Sequence, residues 1–376
     1  MDSPPGILQG IITEIKAYRV RVPLKKPLLV FGSVITEREW IFVEAHCNEQ
    51  VGIGYGLTRG ADLERIVQRQ IVPHVSGQRI GAIRSIWQAA RQSVRMIGEE
   101  GLFARALSVV DIALWDVQAK LLGVPLWRLL GGMSSKIPVV AIAGYYQDDP
   151  VGAVRRDAEN LLKAGYQTFK IPFGANRDLD HQRIAAFREV AGETVSLGLD
   201  AGAAFSTVKE ALSALHPLSA FNIWFLEDPF SAAQWPLAAV LADKTPLPIA
   251  FGESISSLST LHTLVGPAGV DILRLDATHQ LGITGTLGVV SAAHEHAKMV
   301  FPHYFPDIHS VLVGGVGGSM IEESPAEADT VGFQVLRASQ PHIAEGFWHL
   351  SERPGLGIDW DFDAIEHYKG NDAPIR

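Results

Sequence analysis

Apolar and polar positions change rhythm twice along this chain. From about Ile11 to Gly56 they alternate, in ITEIKAYRVRVPL and WIFVEAHC on either side of KKPLLVFGS, which predicts a small antiparallel sheet. From about Ala61 to Leu122 apolar residues recur at three and four, most clearly in ARALSVVDIALWDVQAKLLG, a helix that ends at Gly123. Beyond the loop GGMSSK the pattern becomes alternating. The order is IPVVAIAG, a helix through Lys163, TFKIPFG, a helix around His181 to Val190, VSLGLD, a helix around Lys209 to Leu218, and onward to a last strand near Ser319 to Glu322. Continuous apolar runs suit strands buried on both faces, and strands alternating with helices make parallel βαβ units. The tail PHIAEGFWHLSERPGLGIDWD is turn-rich, and we expect it to return to the first domain.

The apolar runs of the second half end in single ionisable residues: Lys170, Asp200, Glu227, Glu253, Asp276 and His303. Successive ends lie 23 to 30 residues apart, the length of one strand–loop–helix–loop unit in a barrel whose eight units make about 250 residues. The carboxyl ends of such strands open onto one rim, so these residues are expected to meet there.

Three consecutive strands ending in Asp200, Glu227 and Glu253 place three like charges together, and a divalent cation is the simplest relief. All-oxygen ligation favours Mg²⁺ or Mn²⁺ over zinc. Asp276 and His303 end the next two strands; a carboxylate bonded to one imidazole nitrogen fixes the tautomer and leaves the other nitrogen as a general base. Lys170 faces these acids as a base, an electrostatic stabiliser or a salt-bridge partner.

Composition narrows the partners. The 376 residues are 47% hydrophobic and 19% charged, with a net charge of −9 spread without long runs, which describes an ordinary enzyme and excludes nucleic acid. MDSPPGILQG has no basic segment followed by an apolar core, and nowhere do about 18 apolar residues run uninterrupted, so neither export nor a membrane is expected. Cys47 is the only cysteine; it permits no intrachain disulfide or cysteine metal cluster and fits a cytoplasmic location.

Taken together, LGLDAG, FLEDP, FGES, RLDATHQLGITG, FPHYF, SMIEESP, the helix ALSVVDIALWDVQAK and the tail RPGLGIDWD resemble the enolase superfamily, specifically its mandelate racemase/muconate lactonizing enzyme-like branch, over essentially the whole chain. The resemblance implies an α/β fold: a modified TIM barrel, (β/α)7β, over 134–340, with an N-terminal α+β capping domain over 1–133 on which 341–376 packs. It implies a metal triad of Asp200, Glu227 and Glu253, an Asp276–His303 dyad, an eighth-strand acid at Glu322, a small-molecule carboxylate substrate and a homo-oligomer. The family's shared step is removal of the proton beside a carboxylate; carried over, Lys170 and Glu322 contact the carboxylate oxygens.

Two departures from the family pattern narrow the reaction. The branch commonly has Lys-x-Lys on the second strand, the second lysine serving the substrate face opposite the histidine; here the triplet is Lys170-Ile171-Pro172, and proline accepts no proton. The third-strand motif often reads Asp-x-Asn and is here Asp200-Ala201-Gly202. With His303 as the only evident base, elimination is favoured over racemisation, which points to dehydration of an aldonate or aldarate to a 2-keto-3-deoxy acid. The alternatives are a racemase, epimerase or cycloisomerase using Lys170, and a metal-binding pseudoenzyme. Selectivity is expected from capping loops around Val20–Ser33, where Lys25 and Lys26 lie, and Gly52–Gly60, with Tyr145, Tyr146, His279 and His309 near the rim. Two weaker motifs are discounted: GGVGGS at Gly314 to Ser319 reads as a tight loop, and His294-Glu295-His296 as solvated helix surface.

Overall fold

The computed structural model describes residues 9–30, 33–145, 149–174, 176–323 and 332–369. β1 (Ile12–Val30), β2 (Ser33–Cys47) and β3 (Gln50–Leu57) form an antiparallel sheet in that order. Asn48, at φ 54°, makes the two-residue turn that brings Cys47 opposite Gln50. The segment Val20–Ser33, expected as a loop, is instead mostly the far arm of the β1–β2 hairpin, with a register shift between Pro23 and Leu28. Lys25 and Lys26 are exposed on that arm. In the second expected loop, most of Gly52–Gly60 is likewise strand β3.

The helical part of the cap comprises α1 (Leu63–Ile66), continued by a π turn into α2 (Val72–Val75), then α3 (Ile83–Ser93), α4 (Leu102–Leu122) and the short α5 (Leu126–Leu129). α4 is buried almost all round because it packs on both domains. Towards the sheet it touches bare backbone: a methyl in place of the Gly54 hydrogen would stand 1.9 Å from Val109 O, and one on Gly52 2.2 Å from Ala113 O. Gly123, at φ 68°, ends the helix as its position in the sequence suggests.

Eight parallel strands come next among the described residues: β4 (Lys136–Ile142), β5 (Thr168–Pro172), β6 (Ser196–Asp200), β7 (Ile223–Glu227), β8 (Ile249–Phe251), β9 (Ile272–Leu273), β10 (Met299–Val300) and β11 (Ile321–Glu323). They alternate with α6 (Pro150–Lys163), α7 (Arg177–Ala191), α8 (Val208–Leu215), α9 (Trp235–Lys244), α10 (Leu258–Leu264), α11 (Gly282–Glu295) and α12 (Pro306–Val316). Neighbours in sequence pair from β4 to β10, and β11 returns to pair with β4. At the remaining seam Ser319 N donates to Val300 O at 2.8 Å. Val140, Phe225, Ala250, Ile272 and Phe301 pack together as a buried cluster contributed by these strands.

α4 also caps the barrel. Thr284 N and Oγ1 donate to the two carboxylate oxygens of Asp111 at 2.9 and 2.6 Å, and Gly282 N donates to Ser108 Oγ at 3.0 Å. The open N–H groups of α11 are thus satisfied by the other domain. Asp116, one turn further on, accepts from Ile53 N of the sheet and Leu356 N of the tail at 2.8 and 2.7 Å.

The C-terminal stretch splits, contrary to the single role expected for 341–376. β12 (His342–Ala344) and β13 (Phe347–His349) form a hairpin that pairs antiparallel with β4, at Lys136–Pro138. β11 occupies the same strand only from Val139 onward, so the lower edge of β4 needs another partner. Only the remainder reaches the cap: Trp360 packs on Phe42 and Tyr55, and Lys369 of α13 (Phe362–Lys369) lies over the Tyr18 ring at 4.1 Å. GGVGGS is also not a simple loop. Gly314 and Gly315 are in α12, where side chains would collide with Leu350 and Leu130 at 2.2 and 2.5 Å, and the chain leaves the helix only after Val316. Among the described residues no helix is long and apolar enough to cross a membrane.

Candidate active site

The strand ends converge. Lys170 Nζ, on a residue 1% exposed, donates to Glu227 Oε1 and Glu322 Oε2, each at 2.8 Å, and lies 3.6 Å from Asp200 Oδ2. Burial opposes its charge, but Glu227, Glu322 and Asp200 outweigh burial and raise its pKa. Lys170 is therefore held as an ammonium.

Arg274 and Asp228 are absent from the sequence expectations. Arg274 directly follows β9, two residues before Asp276, and is fully buried. Its Nη2 donates to Glu322 Oε2 at 2.5 Å and Glu227 Oε1 at 3.1 Å, its Nη1 donates to the carbonyls of Phe301 and Pro302 at 3.0 and 2.9 Å, and its plane covers the Phe301 ring at 4.0 Å. The signal was an arginine inside an apolar run. Asp228 comes directly after Glu227, at φ 41°.

The acids divide into two sets. Burial alone would raise Glu322, but Lys170 and Arg274 bring its carboxyl down to about 2. On the other side, burial and mutual repulsion raise Asp228 and Glu253 well above the carboxylate range. Glu227 Oε2, Asp228 Oδ1 and Glu253 Oε2 are buried without a hydrogen-bond partner, although Arg274 Nη2 is 3.6 Å from the last. Among the described residues no three acidic or imidazole groups stand arranged to hold an ion as they are, and Lys170 and Arg274 are both bonded to Glu227. The donor set nevertheless fits a hard divalent cation: orphaned carboxylate oxygens, like charges, no sulfur. Tyr145, expected near the substrate, donates its hydroxyl to Asp200 Oδ2 at 2.6 Å. Tyr146 lies outside the described residues.

His303 and Asp276 meet as expected, Nδ1 to Oδ2 at 3.1 Å. Asp276 Oδ1 accepts from Thr278 N and Oγ1 at 2.8 and 2.7 Å. Burial would raise this carboxyl, but the His303 bond and the surrounding imidazoles hold it below the usual range. An ionised Asp276 accepts a hydrogen bond from the Nδ1–H of His303, leaving Nε2, 3.5 Å from Glu253 Oε1, directed at the acid cluster. The backbone carbonyls just before His303 are those held by Arg274. His309, expected at the rim, is fully buried: Nε2 accepts from Ala277 N at 3.0 Å and Nδ1 bonds Tyr304 O at 2.5 Å. It supports the turn after Asp276 and has no free face for a substrate. His279, 8% exposed, is pulled down to about 4 by burial and is neutral. His294, Glu295 and His296 are exposed.

An α+β cap on a (β/α)7β barrel, with acids, a lysine and a His–Asp pair at the strand ends, is the architecture of the enolase superfamily. The chain belongs to its mandelate racemase/muconate lactonizing enzyme family: residues 12–131 match the Mandelate racemase / muconate lactonizing enzyme N-terminal domain and 153–364 the Enolase C-terminal domain-like family. It is 27% identical over 328 residues to an arabinonate dehydratase of Saccharolobus solfataricus, covering 85% of this chain and 87% of the relative. To a 3,6-anhydro-alpha-L-galactonate cycloisomerase of Streptomyces coelicolor it is 27% identical over 354 residues, covering 93% and 96%. The crystal structure of L-talarate dehydratase from Polaromonas sp. JS666, complexed with Mg and L-glucarate, shares the fold with a TM-score of 0.87 at 24% identity, over 96% of this chain and 98% of that one.

Proposed function

We propose that this protein removes the proton alpha to the carboxylate of a sugar acid and expels the β-hydroxyl as water, giving a 2-keto-3-deoxy acid. The observation that carries the reading is the contrast between its two candidate bases. His303 presents an imidazole nitrogen whose partner nitrogen is tied to Asp276, while Lys170 is bound by three carboxylates that hold its proton. Ile171 and Pro172 offer no second base beside it.

In this reading Asp200, Glu227 and Glu253 hold Mg²⁺, with Asp228 beside them. The ion supplies positive charge to the substrate carboxylate, which acidifies the neighbouring C–H. Lys170, held as an ammonium, would donate to the same carboxylate. Glu322, held ionised, would repel a carboxylate oxygen, so its part is to fix Lys170 and Arg274 rather than to contact the substrate as the resemblance implies. His303 Nε2 takes the alpha proton, and the C–H electron pair moves into an enediolate. As the Cβ–O bond breaks, the imidazolium returns that proton to the leaving hydroxyl, so water departs with no net change at His303. The enol then tautomerises to the 2-keto acid.

A cycloisomerase is the second reading, favoured by the relative that aligns over nearly its whole length. The test is a screen of aldonic and aldaric acids with Mg²⁺, followed by mass spectrometry and a carbonyl-specific reagent. Dehydration gives a 2-keto product lighter by one water; a product of unchanged mass supports isomerisation, and no product across the screen sinks the dehydratase reading.

A further inference from the structure

The cap brings to the Asp276 side of the barrel mouth cationic groups that no acid among the described residues pairs with. The end of β3 rests on the connection between β9 and α11: a methyl on Gly56 would stand 3.1 Å from Val109 Cγ1 and 3.3 Å from Thr278 Cβ. One turn before Val109 on α4, Arg105 extends to the same corner, its Nη1 3.3 Å from Leu57 O. Arg59 stands two residues after Leu57, exposed and at φ 55°. His279 completes the corner, its backbone N–H on Asp276 O at 3.1 Å and its Nδ1 buried without a hydrogen-bond partner.

Among the described residues neither guanidinium is in an ion pair. Burial draws Arg105 down to about 10, with Asp276 opposing the fall and Arg59 adding to it. Asp276 offers little compensation, because His303 and Thr278 already occupy its oxygens. A half-buried guanidinium beside a second cation, with no acid of its own, is costly in the free protein. An anionic ligand group removes that cost.

The order across the mouth is then the acid cluster, His303, Asp276, and this corner. For a substrate with its first carboxylate at Lys170 and its alpha carbon at His303, the inference requires the carbon chain to run past the dyad to the end of β3, where Arg105 and Arg59 stand. We infer that Arg105, Arg59 and His279 form a recess for a second carboxylate, so that the substrates are dicarboxylic sugar acids rather than aldonates. This rests on the proposed function for the position of the first carboxylate.

Two measurements on the Mg²⁺-loaded full chain test it. Calorimetric titration compares adipate with hexanoate, unreactive six-carbon probes that differ by one carboxylate. Steady-state kinetics compares an aldarate with the aldonate of the same configuration. The intact protein should favour adipate and the aldarate about 10- to 100-fold, the range of one charged hydrogen-bonding partner. Arg105→Gln should cut both ratios about tenfold or more, Arg105→Lys should keep most of each, and Arg59→Gln, at an exposed position, should give a smaller cut even if Arg105→Gln folds poorly. Equal affinity for the two probes, or ratios that Arg105→Gln and Arg59→Gln leave unchanged, overturns the recess. An aldonate dehydrated as well as its aldarate overturns the recess and keeps dehydration. An Arg105-dependent adipate preference with no 2-keto product from any acid keeps the recess and sinks dehydration.

Discussion

Replacing Arg274 by Met tests how the acid cluster is held. The thioether fills much of the same volume but leaves two buried carbonyls, Phe301 O and Pro302 O, without their Arg274 donor, and leaves Lys170 as the cation bonded to Glu227 and Glu322 among the described residues. Removing one partner of a buried ion pair costs about 3–5 kcal/mol. The Glu322 carboxyl points the same way. Its fall from 4.5 to about 2 corresponds to about 3 kcal/mol of folding stability, to which Arg274 is the second contributor after Lys170. Because the folded-state value is depressed, this stability is fully present above the unfolded value near 4.5 and is lost as pH falls through about 2. Urea unfolding followed by tryptophan fluorescence, repeated from neutral pH down to pH about 3, should show a gap between the parent and Arg274→Met of about 3 kcal/mol or more at neutral pH. The gap should narrow as the acids protonate. A gap below about 1 kcal/mol, or one that widens in acid, would refute the assignment of Arg274 as the buried counter-charge.

The same geometry sets three further outcomes. His303→Asn should lower turnover by about 10²–10⁴-fold and abolish exchange of the alpha proton in heavy water; retained exchange would place the base elsewhere. Glu253→Gln, at an oxygen without a hydrogen-bond partner, should weaken Mg²⁺ binding measured by calorimetry about tenfold or more, and chelation should remove activity that added Mg²⁺ restores. Gly54→Ala should destabilise by about 2 kcal/mol or more, read as a lower urea midpoint, because its methyl meets the backbone of α4 at 1.9 Å.

The fold was legible because six successive apolar runs of the barrel end in one ionisable residue at a steady spacing, as strands feeding one rim would. Lys170, Asp200, Glu227, Glu253, Asp276 and His303 come together for that reason. Arg274 was not legible because a charge within an apolar run is read as a break in the pattern, whereas here it is the counter-charge to an acid, Glu322, dozens of residues away. Asp228 was hidden by its neighbour: a residue after a strand end looks like a turn former, and its burial depends on contacts between strands. The β12–β13 hairpin answers a vacancy on one edge of β4, a property of strand order that the tail's own residues do not carry. The tall β1–β2 hairpin was obscured by the prolines and lysines that shift its register.

Ser108 and Asp111 give the two domains a shared inheritance. The start of α11 finds its hydrogen-bond acceptors on α4, so a barrel expressed alone would expose unsatisfied amides beneath the very turn that carries Asp276. Chimeras that exchange parts of the cap should therefore leave α4 in place. A cap taken whole from a relative would bring a new selectivity surface only if its own helix offered the same two acceptors at the same height.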